Sequence, residues 1–195
     1  MDAKRGLLFS PPQLNLGEWA AVGTGSGGDG SLNSTVNALA VINGDLYVGG
    51  SFTNVVNNGI AIGAADYIAK WDGTNWSALG YGNSPSNGSL NAAVNALAVI
   101  GTDLYVGGSF QDVNNYGTAL TAADRIAKWD GSNWSAVGNG SGTQGSIGNT
   151  VNALAVVGTD LFIGGSFLDV NNSGVTLGAA DKVAMWDGSN WSALG

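Results

Sequence analysis

Three copies of one sequence pattern occupy most of the 195-residue chain. The copies open with VNALAVINGDLYVGGSF, VNALAVIGTDLYVGGSF and VNALAVVGTDLFIGGSF, beginning at Val36, Val94 and Val151. The period is therefore 58 and then 57 residues. A fixed period of this length is typical of repeat architectures, in which each copy folds as one unit and packs against its neighbours.

Each copy predicts four short β-strands and no helix. In the first copy the predicted strands are residues 36–42, 45–52, 67–71 and 76–80. The apolar run 36–42 suits a strand that packs on both faces. The turn Asn43-Gly44 suits type I′ geometry, because both central residues need positive φ. The glycine pair Gly49-Gly50 predicts close approach of another backbone or a large ring.

Four strands per copy, with glycine and aromatic residues at fixed places, are typical of β-propeller blades. The motifs LYVGGSF, IAKWDG and WSALG resemble the kelch-like repeats of bacterial surface proteins. They also resemble galactose-oxidase-type propellers and the cell-polarity repeat proteins of fungi, over residues 17–195. The resemblance implies a fold and no particular activity, because such families include structural and adhesive proteins, sugar binders and a few enzymes. The copper ligands of galactose oxidase have no counterpart here, since the chain lacks His and Cys.

The expected fold is thus all-β, built of propeller blades. Residues 1–16 are interpreted as an N-terminal arm, residues 17–35 as a surplus Trp strand with its linker, and the three blades as 36–93, 94–150 and 151–195. Three units with twelve strands also fit a β-trefoil or a β-prism. Trefoil repeats are usually shorter, but both alternatives stay open.

Three blades predict an incomplete ring, because propellers usually close with four to eight blades. The two terminal blades would each expose an apolar face, which is typical of an association site. Residues 18–23, EWAAVG, match NWSAVG at 133–138, so the Trp strand occurs once more than the other strands. We expect a homo-oligomer, most simply a dimer, with a larger ring or a head-to-tail filament as alternatives. The surplus strand would cap an open edge or join a neighbouring chain.

Composition excludes several classes of function. Without His or Cys there is no Ser-His-Asp or Cys-His nucleophile and no ordinary zinc or copper site. A net charge of −8 disfavours nucleic acid and anionic membranes as partners. No apolar run is long enough to span a bilayer, and no signal peptide is visible. We expect no enzyme activity and no cofactor.

The Trp-Asp-Gly turns are interpreted as structural. An Asp before Gly can bind its own backbone in an Asx-type turn, and the flanking Trp rings would be buried between blades. The turn is similar to the sialidase Asp-box, which is itself a structural turn. The residues predicted to serve structure and assembly are Trp19, Trp71, Asp72, Trp76, Trp129, Asp130, Trp134, Trp186, Asp187 and Trp191.

The loops DVNNYG and DVNNSG, after the second strand of copies two and three, carry oxygen-rich side chains at alternate positions. Such spacing suits Ca²⁺, but a strong site needs more carboxylates and a bidentate Glu. We therefore expect no metal site, and the weak Ca²⁺ candidates are Asp112, Asn114, Asp169 and Asn171. The loops recur on one rim and are predicted to form a recognition surface.

The leading hypothesis is a non-enzymatic structural or interaction protein that self-assembles through its blades. A cell-surface, extracellular-filament or virion setting would suit its low charge. The alternative is a multivalent carbohydrate-binding lectin, which requires exposed Trp faces. Expected partners are copies of the chain itself, with glycans or other surface proteins as further candidates.

Overall fold

A computed structural model describes residues 21–26, 30–141 and 144–194. Over these ranges the protein is all-β and contains no helix, and so none that is long and apolar enough to cross a membrane. Three four-stranded antiparallel sheets follow one another along the chain, one from each repeat. The predicted fold class is confirmed: the repeats are blade-like units, and they do not form a closed barrel.

Each blade contains six strands in chain order. Blade 1 has β1 (Val36–Ile42), β2 (Asp45–Gly50), β3 (Val55–Asn57), β4 (Ile60–Ile62), β5 (Ile68–Trp71) and β6 (Trp76–Ser77). Blade 2 has β7 (Val94–Ile100), β8 (Asp103–Gly108), β9 (Val113–Asn115), β10 (Thr118–Leu120), β11 (Ile126–Trp129) and β12 (Trp134–Ala136). Blade 3 has β13 (Val151–Val157), β14 (Asp160–Gly165), β15 (Val170–Asn172), β16 (Val175–Leu177), β17 (Val183–Trp186) and β18 (Trp191–Ala193).

The main sheet of every blade is a simple antiparallel meander. Its strand orders are β1-β2-β5-β6, β7-β8-β11-β12 and β13-β14-β17-β18. The β1–β2 turn has φ of 53° at Asn43 and 92° at Gly44, which is the predicted type I′ pattern. In blade 2 only Gly101 of the corresponding turn has positive φ, as in a type II′ turn.

The loop between the second and third sheet strands contains a further β-hairpin, which the sequence analysis treats as a polar loop. In blade 1 this hairpin pairs β3 with β4, and its tip residues Asn58 and Gly59 have φ of 50° and 81°. Asn-Gly with positive φ at both residues is a strong hairpin signal. The strands are only three residues long, so the alternation of apolar and polar residues is too short to indicate them.

Glycines 49 and 50 are approached closely, as predicted, but by different groups. A side chain at Gly50 would collide with the main-chain oxygen of Thr35, which accepts a hydrogen bond of 2.9 Å from the Ser51 amide. A side chain at Gly49 would collide with Val94 of the next blade. The approaching groups are therefore a backbone and the Phe52 ring at Gly50, and a valine at Gly49.

The hydrophobic core lies between consecutive blades. One core cluster joins Ile42, Tyr47 and Ile68 of blade 1 to Val94 and Leu104 of blade 2. A second core cluster joins blades 2 and 3 in the same way, through Tyr105, Ile126, Val151, Leu161 and Ile163. The first strands β1, β7 and β13 lie side by side in this stack. The middle sheet therefore buries its two faces against two different neighbours.

Candidate functional site

Each blade has two faces that we name by the neighbour they contact. The leading face contacts the preceding blade, and in blade 2 it carries Val94 and Leu97. The trailing face contacts the following blade, and in blade 2 it carries Tyr105 and Ile126. A regular β-bulge at the start of the first strand, between Val94 and Ala96 in blade 2, shifts the strand register. It brings Val94 and Leu97 to the same side of the sheet, next to Gly49 of blade 1.

Within the described residues, no sheet covers the leading face of blade 1. Leu39 and Val41 are 61% and 63% exposed, and Val36 is exposed where its counterpart Val94 is fully buried. A groove of about 430 Å³ opens on this face. Its lining is mostly apolar and includes Val22, Leu32, Leu39, Leu46, Val48 and Trp76. In blades 2 and 3 the same face is covered by the preceding sheet.

The trailing face of blade 3 is uncovered in the same way. Val157 is 66% exposed, whereas its counterpart Ile42 in blade 1 is buried. Val183 is exposed, whereas its counterpart Ile126 in blade 2 is fully buried. The two exposed faces therefore lie at opposite ends of the stack of described blades.

Blade 3 differs in sequence from the other two on this trailing face. Phe162 replaces a tyrosine, and Met185 replaces a lysine that in the other blades forms an ion pair. In blade 2 the pair is Lys128–Asp103, 2.8 Å apart, and its hydrogen bond raises the pKa of Lys128. Both changes in blade 3 remove a polar group from its trailing face.

Glycine makes room for the neighbouring blade at the second sheet strand. A Cβ atom added to Gly107 of blade 2 would lie 2.6 Å from Cγ1 of Val151 in blade 3. Gly49 faces Val94 in the same manner. At Gly164 of blade 3, in contrast, the nearest atom to an added Cβ is 3.8 Å away and belongs to Ala153. Among the described residues, no side chain of a following blade fills the space above Gly164, and we call this space the socket at Gly164.

An asparagine on each first strand binds the backbone of the next blade. The Asn37 side-chain amide donates to the Val94 carbonyl at 2.9 Å, and Asn95 donates to the Val151 carbonyl at 3.0 Å. Asn152 is the third member of this series, and within the described residues no further first strand follows it. Sequence analysis missed these residues, although their recurrence in the motif VNA could have indicated them.

The fourth-strand tryptophans, Trp76, Trp134 and Trp191, are buried and bridge neighbouring blades. The Trp134 indole Nε1 donates to the Leu79 carbonyl at 2.8 Å, and Trp191 donates to Val137 at 3.2 Å. The rings also pack in tilted pairs with Trp71, Trp129 and Trp186, at centroid distances of 5.5, 5.3 and 5.3 Å. The predicted structural tryptophans of blades 2 and 3 thus lie in the inter-blade cores, whereas Trp71 and Trp76 pack in a cluster formed by blade 1 and the linker before it.

The predicted surplus Trp strand falls mostly outside the described residues, and Trp19 lies there. Its final residues are described: Val22 accepts a hydrogen bond of 3.3 Å from the Trp76 indole, as Leu79 does from Trp134. Gly23 has φ of 73°, the same as Gly80 after Leu79. This segment therefore takes the place beside blade 1 that the end of a preceding blade takes beside the others.

The Trp-Asp-Gly turns are built around one carboxylate each. Oδ1 of Asp72 accepts hydrogen bonds from the amides of Thr74 and Asn75, at 2.8 and 2.7 Å. Asp130 and Asp187 make the same two bonds in their blades. These amide donors lower the pKa of all three carboxyl groups, because they stabilise the charged form. The carboxylates are engaged within their own turns.

A second recurrent carboxylate fastens the hairpin loop to the linker behind it. Asp124 accepts from the Asp112 amide at 2.9 Å and from the Gly145 amide at 3.0 Å. Asp66 makes the equivalent bonds in blade 1. Asp181 accepts from the Asp169 amide at 3.1 Å. These residues recur at the end of every hairpin loop, and their pairing with the next linker was not foreseen.

The weak Ca²⁺ candidates lie on the rim hairpins. The side-chain oxygens of Asn114 and Asn171 accept hydrogen bonds from the Gly117 and Gly174 amides, at 2.8 and 2.7 Å. Asp112 and Asp169 have left-handed backbone, with φ of 48° and 57°. In the described part of the chain, no group of three or more His, Cys, Asp or Glu side chains could hold a metal ion. The asparagine oxygens act within their own hairpins.

Comparison with known proteins returns no relative: no protein-family model matches the chain, and no curated protein matches it. The resemblance to kelch-like repeats therefore remains an expectation from the motifs. Function has to be inferred from the geometry of the blades.

Proposed function

We propose that this chain is a non-enzymatic structural or interaction protein that self-assembles through its blades. The observation that carries the proposal is the pair of uncovered apolar faces on blades 1 and 3. Leu39, Val41 and Val157 are each more than half exposed. Burial of one such side chain contributes about 1.5–3 kcal/mol, and a contiguous apolar patch usually marks an interaction surface.

The rim of the assembly would present the hairpin tips outward. Their sequences are NNG, NYG and NSG, and within the described residues none of them lines the groove on the leading face of blade 1. A low fraction of charged residues, 10%, suits such a protein at a cell surface, in an extracellular filament or in a virion. The blades would then hold the copies together, while the hairpin tips would contact other molecules.

A measurement of solution mass tests this proposal. Static light scattering across a concentration series is expected to give a multiple of the 19.5 kDa of one copy. The variant Leu39→Asp places a charge on the leading face of blade 1 and should lower the mass. The matched control is Ile60→Asp on a rim hairpin, because Ile60 is 73% exposed and lies off that face. A monomer at high micromolar concentration would overturn self-assembly.

The lectin alternative gains no support from the tryptophans. It requires exposed indole faces, yet Trp76, Trp134 and Trp191 are buried, as are Trp129 and Trp186. Tyr116 is the one exposed aromatic residue at the described hairpin tips. Its ring packs edge-on against Tyr81, and its hydroxyl donates to the Ser132 carbonyl at 2.9 Å. Glycan binding would thus have to use surfaces other than these five Trp rings, and Trp71 is half-buried.

A further inference from the structure

We infer that two copies of this chain join head to tail into one closed ring of six blades. In this ring the trailing face of blade 3 in each copy packs on the leading face of blade 1 in the other. The inference rests on the proposed function of self-assembly and names its partner and its contact surfaces. We call the contact between a trailing face and a leading face a joint. The partner at each exposed face is a second copy of the chain, because the chain already contains this joint twice, between blades 1 and 2 and between blades 2 and 3.

The first argument is the fit of side chains. Within one chain, Val94 fills the space over Gly49, and Val151 fills the space over Gly107. Within the described part of the chain, two residues lack the partner that this pattern gives to their counterparts. In this part, Val36 is exposed and has no glycine beneath it, and the socket at Gly164 has no valine in it. A second copy supplies the missing half at each end. Val36 of one copy then fills the socket at Gly164 of the other.

The second argument is the pattern of hydrogen bonds. Each joint within the chain is bridged by a first-strand asparagine that donates to the carbonyl of the following blade's first valine. Asn152 carries the next donor, and the Val36 carbonyl is the corresponding acceptor. The same pairing extends to the linkers, where Asp124 binds the Gly145 amide.

The sequence changes on blade 3 favour a joint between separate chains. Association between chains must offset the loss of translational and rotational freedom, which a joint within one chain does not incur. Phe162 and Met185, which are paired across β14 and β17, are apolar where blades 1 and 2 carry tyrosine and lysine. Their burial would increase the hydrophobic contribution at this joint.

Two copies are the number that closes the ring. Propellers usually contain four to eight blades, and copies of three blades reach this range only as a pair. A leading face differs from a trailing face, so the contact is heterologous and must close on itself or continue as a filament. In a ring of six blades, Leu194 of one copy takes the place beside Trp76 of the other copy that Val22 takes in the single chain, and both joints are made.

The variant Gly164→Ala tests the joint without disturbing the single chain. Among the described residues, an added methyl group meets nothing closer than 3.8 Å, and Gly164 lacks positive φ. In the ring it would collide with Val36, as a methyl group at Gly107 would with Val151. About a tenfold loss of affinity at each of two joints raises the dissociation constant about 100-fold. The control Gly148→Ala, in open space before β13, should leave the mass unchanged.

Cysteine pairing tests the direction of the joint. The chain has no cysteine, so only introduced thiols can react. An added Cβ at Gly107 would lie 3.3 Å from the Cβ of Val151, and disulfides need a Cβ separation near 3.5–4.5 Å, which a small shift provides. Mild oxidation of mixed Val36→Cys and Gly164→Cys chains should therefore give a covalent dimer. Neither variant alone should cross-link.

The results of these two experiments distinguish a failure of the six-blade ring from a failure of self-assembly. A wild-type mass of two copies, reduced by Gly164→Ala, together with the mixed cross-link, supports the ring. If the wild-type chain self-associates, but Gly164→Ala does not lower the solution mass and no mixed cross-link forms, the ring is overturned and self-assembly still stands. In the double variant Val36→Cys/Gly164→Cys, a cross-linked ladder of large mass in place of a covalent dimer overturns closure at two copies. A monomeric chain overturns both the ring and the proposed function.

Discussion

The indole Nε1 of Trp134 in blade 2 donates a hydrogen bond to the main-chain carbonyl of Leu79, 2.8 Å away, at the end of blade 1. Both residues are buried. The same carbonyl also accepts from the Ser89 hydroxyl at 3.1 Å. One backbone oxygen thus fastens the outer strand of blade 2 and the linker to the end of blade 1.

Trp134→Phe should destabilise the protein by about 1–3 kcal/mol, because it removes a donor to a buried carbonyl and part of a buried ring. Chemical denaturation monitored by circular dichroism measures the change. Trp76→Phe is the control: its hydrogen bond to Val22 is longer, at 3.3 Å, and should contribute less. Equal losses in the two variants would contradict this view of the Trp134 bond.

Asp124→Ala should cost about 2 kcal/mol, because two backbone amides lose a charged acceptor. Asp181→Ala should cost less, since within the described residues Asp181 accepts from one amide and is more exposed. Urea unfolding of both variants tests the order. A larger effect at Asp181 would show that the linker bond to Gly145 adds nothing.

Stability should fall on acidification because of the three Trp-Asp-Gly turns. In the native state the pKa of Asp72, Asp130 and Asp187 lies below the ordinary value of 3.8. Their contribution is therefore present above that value and is lost as the pH falls through the native pKa. Thermal unfolding between about pH 5 and pH 2 measures this slope. Replacing all three Asp with Asn should reduce the dependence of stability on pH. An unchanged dependence would mean that other carboxyl groups cause the loss of stability.

Gly107→Ala should destabilise the chain by about 1–3 kcal/mol, because the methyl group overpacks the joint between blades 2 and 3. An added Cβ there would lie 2.6 Å from Val151 Cγ1. Gly148→Ala, whose methyl group meets nothing within 4 Å, is the control and should be near neutral or slightly stabilising. If Gly107→Ala were tolerated equally, the neighbouring sheets would have to separate easily.

The blade strands could be predicted from the sequence because their apolar runs end at turn residues. Strand β1 was predicted with its observed bounds, residues 36–42. The second strand ends earlier than predicted, at Gly50, because the Ser51 amide turns to the Thr35 carbonyl and Phe52 enters the core. The fourth strand is also shorter than predicted in blade 1, where it spans Trp76–Ser77.

The contacts between blades could not be predicted from local patterns. Asn37 lies within an ordinary strand sequence, and its role as a donor to Val94 depends on how two sheets stack. The same holds for Gly49, whose glycine requirement comes from a valine 45 positions later in the chain. Turn chemistry indicates local structure, whereas these pairings arise from the packing of separate repeats.

At the hairpin tips the backbone conformation is the same in all three blades, although the side chain differs. The first tip residue is Asn58, Tyr116 or Ser173, and φ is 50°, 51° or 53°. The glycine that follows and the flanking three-residue strands hold this geometry whichever side chain is present. Each blade thus offers a position at which substitutions can accumulate without altering the framework. Such a position would allow the recognised molecule to change during evolution while the blade stack is conserved.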